Sequence, residues 1–71
     1  MVLGKRFFRR LSDAELASWR PAEPQSPDEW SARCHNVGAA NREMRRRAKR
    51  NGHPGVRDWL VLLHNKQAPI A

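Results

Sequence analysis

The chain has almost no means of covalent or metal-based bracing. Its single cysteine, Cys34, leaves no intrachain disulfide to form. There is no Cys-x-x-Cys or His-x-x-x-His pair, so Cys34, His35, His53 and His64 do not read as a metal site. Cys34 and His35 are adjacent and would leave a helix on different sides, which argues against a nucleophile–base pair. Gly52 and Gly55 have the spacing of a turn, not of a phosphate-cradling loop. No apolar run is longer than Trp59–Leu63, against the ~20 residues needed to cross a bilayer. At 71 residues there is room for one small domain. Such a domain buries only about 60% of its unfolded surface. These shortages argue against a catalytic cleft, a cofactor and a membrane span. Binding is the expected activity, and the chain is not read as an enzyme.

What the chain does have is positive charge, unevenly placed. Fourteen Lys and Arg face seven Asp and Glu, for a net charge of +7. Residues 1–11 carry +4, residues 12–30 carry −4, residues 31–57 carry +7, and residues 58–71 cancel. A block of this kind acts as an electrostatic footprint. Eleven of the fourteen cations are arginine, whose planar guanidinium matches phosphate with two parallel hydrogen bonds. The plainer reading is codon bias of the kind a GC-rich genome would give, which would account for Arg in place of Lys but not for where the charges sit.

Capping residues and prolines mark helices. Ser12 and Glu15 form a capping box, with Leu11 and Leu16 in the staple positions. A short helix over 13–20 is expected, ended by Pro21, with Leu16 and Trp19 on its buried face. Pro21, Pro24 and Pro27 make a stiff linker. Ser26 then caps a second start, with Pro27 at N1, Asp28 favourable to the dipole, and Glu29 completing a second capping box. Asn51-Gly52 is a stop signal. The simplest reading is one helix over about 27–51; the competing reading breaks it near Gly38 into a helix-turn-helix-like pair. A last helix spans about 55–66, with Val56, Trp59, Leu60 and Leu63 on one face. Val61 and Leu62 fall outside that face. The helix is then either central to the core or the source of a homodimer interface through 56–63. The fold class expected is all-α: three helices, or four if the long one breaks, with a basic arm (1–11), one helical domain (12–66) and a frayed tail (67–71).

On the long helix, Trp30, Cys34, Val37, Asn41, Met44 and Ala48 fall within about 80° of one another at 100° per residue. They read as the core stripe, and Trp19, Trp30 and Trp59 as core residues. Arg42, Arg45, Arg46, Lys49 and Arg50 occupy a separate face about 140° wide, opposite that stripe. Arg33 and Arg47 lie along its flank, and Glu43 is within reach of Arg46 and Arg47. Asn41, polar at the stripe edge, is placed to read a base or a turn. Like charges at i,i+4 are each unfavourable by a few tenths of a kcal/mol, and ordinary solvated helices mix signs. The face therefore points to an anionic partner, DNA or structured RNA: a helix fits the major groove of duplex DNA, or the widened groove of a bulged RNA stem. A solvated basic face is the plainer alternative. Residues 40–50 resemble, in composition, the arginine-rich helices of small RNA-binding regulators. Here, however, the segment sits inside a capped helix with a core face, so a folded DNA binder is equally compatible.

The second basic block, Lys5, Arg6, Arg9 and Arg10, interleaves Phe7 and Phe8. Such arms follow a minor groove or stack on unpaired bases; the alternative has both phenylalanines plugging the core while the arginines stay in water. Charges sit where a signal peptide needs an apolar stretch, so a cytoplasmic location is expected. The sequence thus reads as a small nucleic-acid-binding regulatory factor using Asn41, Arg42, Arg45, Arg46, Lys49 and Arg50. The rival is an interaction module docking its basic helix on an acidic protein surface. Exposure of Val61 and Leu62 would favour the rival, and their burial the first reading.

Overall fold

Prolines and capping side chains set the helix boundaries. The computed structural model describes residues 1–67, and among these there are four helices and no strand: α1 (Lys5–Arg9), α2 (Asp13–Ser18), α3 (Pro27–Arg50) and α4 (Val56–Gln67). No helix is long and apolar enough to cross a membrane among the described residues. The expected tail enters the last helix at Gln67, and its remainder lies outside the described residues.

At α2 the capping box is complete: Glu15 N–H donates to Ser12 Oγ at 3.1 Å, and Ser12 N–H to Glu15 Oε1 at 2.8 Å. At α3, Glu29 N–H donates to Ser26 Oγ, but the Glu29 carboxylate accepts from Gln25 N–H instead of closing a second box on Ser26. The far end of α3 is a Schellman motif. His53 N–H donates to Ala48 O at 2.9 Å and Gly52 N–H to Lys49 O at 3.0 Å. Gly52 supplies the positive φ of 78° that this closure requires.

The long helix is continuous through Gly38. The fourth helix comes instead from the expected arm, where Lys5–Arg9 is helical. Five residues cannot hold a helix alone. Two contacts with the body support this one. Phe8 is fully buried, edge-on to Trp19 with ring centroids 5.0 Å apart. The main-chain carbonyls at the helix end are bonded by Arg47, as described below. Only one phenylalanine plugs the core; Phe7 stays exposed.

α1, α2 and α4 all pack on α3, and α2 also touches α4. The core joins Phe8, Leu16, Ala40, Ala48 and Trp59, with Leu3, Leu11, Trp19, Met44, Leu60 and Leu63 around it. α3 contributes two alanines to this cluster, and the other three helices its large side chains, Phe8, Leu16 and Trp59.

The core stripe expected on α3 holds at Met44 and Ala48, but over most of the helix the buried face is rotated from it by about one residue. The buried positions are Asn36, Ala40, Glu43, Arg47 and Ala48. Trp30 is 53% exposed, and Cys34 and Asn41 are exposed. Polar side chains turn inward because each has a partner: Asn36 and Arg47 in the N-terminal segment, and Glu43 in Arg46 and Arg47 of α3 itself. Asn36 accepts from Leu3 N–H at 2.6 Å and donates to Met1 O at 3.0 Å. Arg47, expected on a solvent flank, is buried against residues 8–13. Residues 1–11 therefore run alongside α3, in the same direction, from Asn36 to Arg47.

Candidate nucleic-acid interface

Helical spacing puts Lys5 and Arg9 on one side of α1, and Arg42 and Arg46 on one side of α3. Because α1 lies along α3, the two pairs face each other. Together with Ala39 and Glu43 they line a cleft of about 190 Å3. The two basic blocks, separate in sequence, thus share one surface.

Two buried charges hold this arrangement. Arg47, 4% exposed, donates from Nη2 to Phe8 O (3.0 Å), Arg9 O (3.3 Å) and Leu11 O (2.8 Å). Its Nη1 donates to Asp13 Oδ1 at 2.9 Å, and its Nε to Glu43 Oε1 at 3.4 Å. It caps the carbonyl end of α1, where the helix dipole favours a cation. Glu43, 6% exposed, accepts from Arg46 Nη2 at 2.6 Å and from Arg46 Nε at 2.9 Å. The Arg46 guanidinium holds the Glu43 carboxyl below the usual carboxylate range, against the opposing effect of burial, and the same pair raises Arg46. Asp13, Arg47, Glu43 and Arg46 form a chain of alternating sign in which every charge has a partner.

Of the residues expected at the interface, Arg42, Arg45, Arg46, Lys49 and Arg50 are all exposed. Arg42 and Arg46 line the cleft, and Arg46 is tied to Glu43. Arg45, Lys49 and Arg50 are exposed outside the cleft, nearer the end of α3. Of the arm residues, Lys5 and Arg9 line the cleft, whereas Arg6 and Arg10 are exposed outside it. Asn41 borders a separate shallow groove with Trp30, Arg33, Cys34, Val37 and Gly38. Trp30 and Cys34, both expected on the core stripe, are exposed at this groove. Among the described residues no three His, Cys, Asp or Glu side chains are grouped as metal ligands would be.

Known proteins add no assignment: no family model, no curated protein and no solved structure matches this chain. The site therefore rests on its own geometry. An i,i+4 cation pair from each of two parallel helices, across a cleft with only one acidic group, suits an anion with several charged oxygens. That single acid, Glu43, is already neutralised by Arg46 and Arg47.

Proposed function

We propose that this is a small nucleic-acid-binding protein, an accessory or regulatory factor of the cytoplasm that grips the phosphates of DNA or structured RNA. The observation supporting this is the convergence of Lys5 and Arg9 with Arg42 and Arg46 on one cleft. Arg45, Lys49 and Arg50 extend the cationic surface toward the end of α3. The fold spends its buried polar bonds on keeping α1 against α3, which presents the cations in fixed positions. Five phosphate contacts give a log–log salt slope of about −4 to −5 on duplex DNA. The test is a salt titration of binding to duplex DNA, structured RNA and single strands, with Arg42→Glu and Arg45→Glu alongside. Binding weaker than about millimolar for all three at 0.1 M salt, worse than ordinary non-specific binding, would refute the reading.

A second reading has an observation of its own. Val61 and Leu62 are 54% and 37% exposed, the outcome that favours a protein-interaction module. With Val56, Leu60 and His64, Val61 borders an apolar face of α4. In that reading the basic surface docks on an acidic protein, or α4 pairs two copies of the chain.

A further inference from the structure

Two features of α3 are unexplained by the fold. Gly38 sits in the middle of a 24-residue helix, where glycine is unfavourable. Packing does not require it there: a Cβ would meet only the flexible end of Arg42, at 3.7 Å. Trp30 leaves half its surface in water on a protein short of apolar core. Its ring is held from one side by Arg33, whose guanidinium carbon lies 5.1 Å from the ring centroid. Arg33 makes no ion pair among the described residues, and its Nε has no hydrogen-bond partner there. Trp30 and Gly38 border one groove, which runs along the helix to the exposed amide of Asn41.

We propose that this groove binds an unpaired nucleobase, stacked on Trp30 over the open surface at Gly38, with the strand continuing past Asn41 toward Arg42 and Arg45. The inference rests on the nucleic-acid reading and names what part of the ligand this second surface takes. An indole face is a sequence-tolerant stacking platform. The missing side chain at position 38 lets a flat ring approach the helix backbone. Asn41 offers both a donor and an acceptor to a base edge. The groove has no acidic residue, Arg33 forms one border, and Arg42 and Arg45 follow on the next turn. That charge pattern favours an anionic strand over a second copy of a chain carrying +7.

The test uses the full chain with a short oligothymidylate, a blunt-ended DNA duplex of equal length and a polyglutamate peptide. Binding is followed by anisotropy, and Trp30 emission as the difference between wild type and Trp30→Phe. The oligothymidylate should quench Trp30 and bind better than the duplex. Trp30→Ala should weaken that binding about 5- to 100-fold while leaving duplex binding nearly unchanged. Gly38→Leu should do the same by filling the groove. Gly38→Ala should raise Tm by about 4–8 °C, showing that position 38 tolerates a side chain in the fold. Oligonucleotide binding that ignores Trp30→Ala and Gly38→Leu, with no preference for the unpaired strand, overturns the inference and leaves the cationic cleft standing. Failure of both oligonucleotides at about 0.1 M salt overturns the nucleic-acid reading itself. Equal quenching by polyglutamate, or quenching by raising the protein concentration alone, overturns the inference in favour of a protein occupant.

Discussion

Arg47 Nη2 lies 3.0 Å from the carbonyl oxygen of Phe8, so a buried cation of α3 closes the end of a five-residue helix 39 positions earlier in the chain. This bond and its neighbours are the reason α1 has a fixed place. Replacing Arg47 leaves Glu43, Asp13 and three carbonyls short of a donor. Arg47→Lys is expected to cost about 3 kcal/mol or more, because one ammonium cannot span both carboxylates and the carbonyl cluster. Urea unfolding of the variant against wild type measures this. A loss below about 1 kcal/mol would mean that the network contributes little.

Acid should weaken the fold through Glu43. Its folded pKa is lowered by the Arg46 hydrogen bonds, so the stabilisation is complete above the unfolded carboxylate pKa. It is lost as pH falls from about 5 through the lowered value. Glu15, held down by its Ser12 bonds, acts in the same direction. Thermal melts between pH 7 and 3 should show Tm falling with acid. Glu43→Gln should start lower and fall less steeply.

If the cleft is one binding surface, α1 and α3 contribute alike. Lys5→Ala, Arg9→Ala and Arg42→Ala should each flatten the salt dependence of duplex binding by about 0.9 in log–log slope. Arg10→Ala, outside the cleft, should flatten it less. An unchanged slope in Lys5→Ala would remove α1 from the interface.

The two faces of α4 should respond oppositely to substitution. Trp59→Ala, at a buried core position, is expected to cost about 3–5 kcal/mol. Val61→Lys and Leu62→Lys, both on exposed positions, should shift stability by no more than about 0.5 kcal/mol. If α4 pairs two copies, wild-type Tm rises with concentration, and Val61→Lys abolishes the rise.

The starts of α2 and α3 and the end of α3 were legible because their causes are local, whereas no such local signal marked α1. Ser12, Ser26, Pro27 and Gly52 each act on their own turn, and each sits where the sequence placed it. The rotation of α3 was not legible, because apolar periodicity finds a buried face only if that face is apolar. Here Asn36, Glu43 and Arg47 point inward, while Trp30, Cys34 and Val37 form a more apolar stripe facing the groove. Apart from Glu43, the partners that make burial of Arg47 favourable lie 34 to 39 residues away, beyond any helical spacing rule. The cationic residues of α3 were still found, since most of a helix surface remains exposed under a 100° rotation. Their alliance with Lys5 and Arg9 required knowing that α1 runs alongside α3.

The bonding of Arg47 divides the chain's arginines into two kinds under mutation and drift. Arg9 and Arg42, which meet solvent at the cleft with no ion pair among the described residues, can give way to lysine with the fold intact, whereas Arg46 forks onto Glu43. Position 47 admits no such exchange, because five acceptors are arranged for a planar fork. In related sequences the cations without a fold partner would therefore change between arginine and lysine more readily. Arginine at 47, with an acid at 13 and at 43, would persist as the signature by which such relatives are recognised.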